Sequence, residues 1–126
     1  DNKYISKNGV WSAVSSNHFV WRVLLKVSSA KALTLYFKNF NLSPSDRLFI
    51  YSSDLKQTIG AFTAKNNGYY FTAGLIESSN LIIEFNCTKM LAQLPFEFSQ
   101  IGAVMKRERG YGDAGSCEVP INCDEG

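Results

Sequence analysis

An all-β, two-layer antiparallel sandwich is the fold this sequence predicts, and three observations predict it. Apolar and polar residues alternate at period two in run after run. Turn-forming clusters separate those runs every ~8–12 residues. No stretch of adequate length carries the i, i+3, i+4, i+7 apolar stripe of an amphipathic helix. The alternation is compatible with jelly-roll or immunoglobulin-like winding and does not choose between them.

Taken in chain order, Tyr4 to Val14, broken at Asn8-Gly9, is expected to supply one or two strands. Phe19 to Val27 follows, with Phe19, Trp21, Val23, Leu25 and Val27 on one face and Val20, Arg22, Leu24 and Lys26 on the other. This is a half-buried strand with Trp21 turned inward. Leu33 to Phe40 sets Leu33, Leu35 and Phe37 against Thr34, Tyr36 and Lys38, and Asn41-Leu42-Ser43-Pro44-Ser45-Asp46 supplies turn chemistry after it. Arg47 to Ser52 places Leu48 and Ile50 on one face. Further strands are expected at Ile59 to Ala64, at Tyr69 to Ala73 after Asn66-Asn67-Gly68, at Leu81 to Asn86, and at Leu94 to Met105. The core predicted from these faces is Trp21, Val23, Leu25, Leu35, Phe37, Leu48, Ile50, Ile83 and Phe96.

Composition bounds the rest. A chain of 126 residues, 45% hydrophobic and 13% aromatic, can bury one sizeable core, so one folded domain is the natural count. The sandwich is expected to occupy residues 1–105. Beyond Met105 the pattern changes: Lys106-Arg107-Glu108-Arg109 is a charge cluster, Gly110 to Ser116 is glycine-rich, and only scattered apolar residues follow. Residues 106–126 therefore read as an irregular tail, a linker and the start of another unit. Charged residues nearly cancel, to a formal +2, which offers no basic field for nucleic acid. No apolar run approaches the ~20 residues of a membrane span. Asp1 to Lys7 lack the pattern of a signal peptide, so an export signal is expected to have been removed or to lie upstream.

Few residues could carry chemistry. A Ser-His-Asp arrangement could draw only on His18, at the head of an apolar strand. Asp46, Asp54, Glu77, Glu84 and Glu97 read as turn or solvent-face carboxylates. No phosphate-cradling glycine loop, HExxH or paired CxxC occurs. The chain is therefore expected to be non-catalytic and to need no cofactor. The aromatics Trp11, Tyr36, Tyr51, Tyr69 and Tyr70 are the residues on which a sugar-binding sandwich could stack a ligand. The three cysteines, Cys87, Cys117 and Cys123, cannot all pair within one chain. Cys87 lies in an apolar strand and reads as a small buried hydrophobe, whereas Cys117 and Cys123 lie in the polar tail.

That tail, Gly115-Ser116-Cys117-Glu118-Val119-Pro120-Ile121-Asn122-Cys123-Asp124-Glu125-Gly126, resembles the start of the mature catalytic domain in secreted bacterial lysyl-endopeptidase-like serine proteases, a branch of the trypsin-like fold. There, Gly-Ser-Cys is followed five residues on by a second cysteine in a Cys-Pro-Glu-Gly motif. Gly115, Ser116, Cys117, Cys123, Glu125 and Gly126 match, and Asp124 stands where the family usually has proline. The body, with Val20-Trp21-Arg22-Val23 and Leu33-Thr34-Leu35-Tyr36-Phe37, is similar to the β-rich region that precedes the protease in such precursors. The family's catalytic triad matches no residue of this chain.

The resemblance implies a non-catalytic N-terminal pro- or accessory domain that assists folding, secretion or latency of a serine endopeptidase. The cognate protease domain of the same precursor would be its partner, and its place would be outside the cell or in the cell envelope. It also implies that Cys117 and Cys123 each bond to cysteines deeper in the protease domain; a local Cys117 to Cys123 bridge is the rival. Processing is expected between Lys106 and Gly110, across Lys106, Arg107 and Arg109, with the cut after Arg109 leaving Gly110 as the new terminus. From another class, a carbohydrate- or cell-surface-binding module is the alternative, to be distinguished by a patch of exposed aromatic side chains.

Overall fold

The computed structural model describes residues 9–105 and 116–119. The strands are β1 (Val10–Ser15), β2 (His18–Lys26), β3 (Ala30–Phe40), β4 (Arg47–Ser52), β5 (Thr58–Phe62), β6 (Gly68–Thr72), β7 (Asn80–Cys87), β8 (Glu97–Met105) and β9 (Ser116–Val119). They form two antiparallel sheets packed face to face: a five-stranded sheet in the order β1-β2-β7-β4-β5 and a four-stranded sheet in the order β6-β3-β8-β9. The predicted all-β sandwich is the fold observed. Its central pairings are nested: β4 with β5, β3 with β6, and β2 with β7. This is the winding of one long hairpin rolled across two sheets, the jelly-roll pattern.

Period-two alternation becomes packing through the register. In the five-stranded sheet, Trp21 lies opposite Phe85 and Phe85 opposite Leu48, with Val23, Ile83 and Ile50 in the next inward row. Leu33, Leu35 and Phe37 of β3 face them from the other sheet, and all nine residues predicted for the core are buried. A one-residue slip of β2 or β7 would turn such a row out to solvent, so burial itself enforces the register.

The alternation breaks within β3 at Ala32-Leu33, both buried, and again near its end. Asn39 adopts φ 50°, and Phe40 after it turns inward again while the register with β6 stays continuous. The left-handed conformation is one that asparagine tolerates better than most side chains. Phe40 thereby joins Phe37 at a ring-centroid distance of 5.4 Å.

Three expectations are corrected in detail. The strand predicted to run to Ala64 ends at Phe62, and Ala64–Asn66 form a 3₁₀ turn. Thr63 caps it reciprocally, its Oγ1 accepting from the Lys65 amide and its own amide donating to Asn66 Oδ1. Local side-chain bonds there outcompete the sheet ladder. The strand predicted from Leu94 begins at Glu97, because the Leu94-Pro95-Phe96 segment crosses between the sheets instead. Finally, Ser116–Val119 pairs with β8, Cys117 standing opposite Ala103, where an irregular tail is expected. Edge pairing is made by main-chain groups and asks little of the side-chain pattern.

Trp21 is 8% exposed and packs edge-on against Phe96 at 6.1 Å. Trp21→Ala is expected to cost about 3–5 kcal/mol, from lost burial and the cavity left behind. Chemical denaturation of the wild type and the variant checks this; an unchanged midpoint would contradict the inward assignment of the tryptophan.

Candidate functional site

Two polar constellations stand out among the described residues. The first crosses the outer face of the five-stranded sheet, where Arg22 and Glu84 are register partners on β2 and β7. The Glu84 carboxylate is its hub: Arg22 Nε lies 3.0 Å from Oε1, the Tyr51 hydroxyl donates to Oε1 at 3.0 Å, and Asn86 Nδ2 donates to Oε2 at 3.1 Å. His18 Nε2 donates to Asn86 Oδ1 at 2.8 Å and extends the ladder to the strand end. Burial pushes the Glu84 carboxyl up, but the bonds from Asn86, Arg22 and Tyr51 together outweigh it and hold the group below the ordinary glutamate value. Burial likewise raises the Tyr51 hydroxyl, with Glu84 adding to it and Arg22 opposing. The ladder locks its charged and polar groups onto one another.

Beside His18 lies a pocket of about 290 Å³ lined by Arg47, Phe49, Asn86 and Cys87. His18 and Cys87 share it without bonding to each other. The Cys87 thiol is buried and free, donates to the Lys89 carbonyl at 3.1 Å, and is pushed up by burial. A thiol raised in this way is not poised as a thiolate nucleophile.

The second constellation is a cleft of about 570 Å³ at one end of the four-stranded sheet. The end of β3 brings Asn39 and Asn41 to it, the 3₁₀ turn and β6 bring Asn67 and Tyr69, and the crossing segment into β8 brings Pro95 and Glu97. Its walls are fixed by hydrogen bonds. The Asn67 amide group clamps Leu42, accepting from its N–H at 2.7 Å and donating to its carbonyl at 3.0 Å. The Asn41 N–H donates to the Pro95 carbonyl at 2.8 Å, and Asn39 Nδ2 to Glu97 Oε2 at 3.1 Å.

The sequence-predicted residues divide among these places. Trp11 is half-buried, its ring 6.5 Å from Phe85; Tyr51 belongs to the Glu84 ladder; Tyr36 is half-buried on β3. Only Tyr69 and Tyr70 of the five aromatic candidates are strongly exposed, at 62% and 68%, with ring centroids 4.4 Å apart. Asp46 is a turn residue as expected but is buried, its carboxylate accepting from the Ser43 amide at 2.9 Å. Lys106, Arg107, Arg109, Gly110 and Cys123 lie outside the described residues, and Cys117 is described only as part of the β9 backbone. The cleft's Asn39, Asn41 and Glu97 went unrecognised as a group, since they are remote in sequence and each reads locally as a turn or surface residue.

Among the described residues, no group of three or more His, Cys, Asp or Glu could hold a metal ion, and no helix is long and apolar enough to cross a membrane. Comparison with protein-family models, with curated proteins and with solved structures finds no match.

The lowered Glu84 carboxyl makes a signed prediction. Its stabilising contribution is complete above the ordinary glutamate pKa and is lost as pH falls through the lower folded value. Below about pH 4.3, the wild-type melting temperature is therefore expected to fall more steeply than that of Glu84→Gln. Melting curves across the acid range check this, and parallel curves would show that the ladder contributes nothing to acid stability.

Proposed function

We propose that this chain is the non-catalytic N-terminal accessory domain of a secreted, trypsin-like serine endopeptidase precursor, and that it assists folding or latency of the protease. The resemblance of the tail to the start of such proteases supports this reading. The observation that carries it is the pairing of Ser116–Val119, which includes Ser116 and Cys117 of the resembling motif, with the edge of β8. A segment whose main chain is committed to the sandwich cannot at the same moment take its place in the protease fold. Strand addition to a sheet edge is a common way for one protein unit to hold an extended segment of another. In this role the sandwich retains the protease's first residues until the downstream fold claims them.

Release then requires a cut in the connecting stretch. Lys106, Arg107 and Arg109 are the side chains that trypsin-like enzymes cut after, and they precede a glycine-rich run. Cleavage after Arg109 leaves Gly110 a few residues before Gly115-Ser116-Cys117. In the mature protease Cys117 and Cys123 bond to cysteines of that domain.

N-terminal sequencing of the mature enzyme is expected to begin at Gly110; a start upstream of Lys106 or downstream of Cys117 would refute the processing site. Mass mapping of the full-length protein under non-reducing conditions is expected to link Cys117 and Cys123 to residues beyond Gly126. A peptide joining Cys117 to Cys123 would contradict the assignment.

A further inference from the structure

The cleft bounded by β3, β6 and the Leu94–Glu97 crossing has no part in holding β9, which lies at the other side of β8 from β3. We propose that it is a saccharide-binding site, taking neutral pyranose rings of a glycan. Saccharides are recognised by two groups acting together: an aromatic surface against the C–H face of the ring, and amide or carboxylate oxygens and N–H groups that pair with adjacent hydroxyls.

Both groups converge here. Tyr69 lines the cleft while more than half exposed, and Tyr70 stands beside it, its ring centroid 4.4 Å away and tilted by 56°. Two large exposed rings side by side on an edge strand do nothing for the core, which is already closed by Phe37, Phe40 and Phe71. Asn39 spends one amide hydrogen on Glu97 and keeps its carbonyl oxygen for a ligand, and Glu97 keeps Oε1. The Asn41 side chain is exposed and forms no hydrogen bond among the described residues. These acceptors and donors surround a floor made by Phe40 and Phe96, both buried, so the site is rigid from below.

Charge selects the class of sugar. The cleft is lined by a carboxylate and by no Lys or Arg. An anionic glycan, carrying sulfate or uronate, would meet Glu97 without a compensating cation, whereas neutral hydroxyls can donate to it. The volume of about 570 Å³ lies within the range of small-molecule sites, ~300–1,000 Å³. The walls are held by the Asn67–Leu42 and Asn41–Pro95 bonds before any ligand arrives, so little ordering cost opposes binding.

The test is a titration of the ¹⁵N-labelled chain with cellotetraose, laminaritetraose, xylotetraose, mannotriose and chitotetraose, with a sulfated heparin oligosaccharide as the anionic comparison. At least one neutral probe is expected to bind with a Kd of about 1 mM or tighter, shifting the amides of Asn41, Tyr69 and Glu97. Tyr69→Ala and Glu97→Gln, both at exposed positions, are expected to weaken that binding at least ~10-fold with unchanged melting temperature. Tyr51→Phe, on the other sheet, is expected to leave it unaltered. Silence with every neutral probe at ~10 mM, shifts that map away from the cleft, preference for the sulfated probe, or indifference to both cleft variants would each overturn the assignment. None of these outcomes bears on the protease-precursor reading, which stands on β9 and the tail.

Discussion

Phe96 sits in the crossing from β7 to β8 and touches rings from both layers of the sandwich. Trp21 and Phe85 approach it from the five-stranded sheet at 6.1 and 5.5 Å; Phe37, Phe40 and Phe98 approach from the four-stranded sheet at 5.6, 6.0 and 5.8 Å. Four of the five contacts are edge-on and the fifth is tilted, and such pairs add about 0.5–1.5 kcal/mol each beyond area burial. Sheets of a sandwich share no main-chain hydrogen bonds, so what joins them is side-chain packing alone. A ring in contact with five others, on a segment that itself passes from one sheet to the other, ties the two sheets together.

That tie also shapes the surface. The crossing segment that carries Phe96 also carries Pro95 and Glu97, so fixing the phenylalanine fixes one wall of the cleft. The same segment starts β8, whose one neighbour is β3 and whose other is β9. The cleft and the β9-bearing edge therefore hang on a common scaffold. A rigid scaffold with function at its strand ends and edges is how sandwiches support varied binding without changing their core.

The sequence made the strands legible because burial on one face of a sheet forces period-two alternation, and Trp21, Val23, Leu25, Leu35, Phe37, Leu48, Ile50 and Ile83 sit where that alternation points. Phe96 was legible as core but not as a crossing residue, since Leu94, Phe96 and Phe98 continue the same pattern through a proline. The turn at Ala64–Asn66 depends on local side-chain bonding that apolar periodicity does not register, and the left-handed backbone at Asn39 interrupts the alternation of β3 without a signal in that periodicity. The cleft was the least visible feature: Tyr69 and Tyr70 stood out as candidates, but Asn39, Asn41 and Glu97 meet only because β3, β6 and β8 are neighbours in one sheet. The pairing of the tail as β9 was not legible, because an edge strand needs a free ladder more than an apolar face.

Native-state hydrogen exchange tests the role of Phe96 most directly. If its ring cluster joins the two sheets into one cooperative unit, the amides of Val23 and Ile83 in one sheet and of Leu35 and Ile101 in the other exchange with the same opening free energy. Phe96→Ala then lowers protection in both sheets together, by about 3–5 kcal/mol. Loss of protection confined to β3 and β8, with Val23 and Ile83 unchanged, would contradict the account.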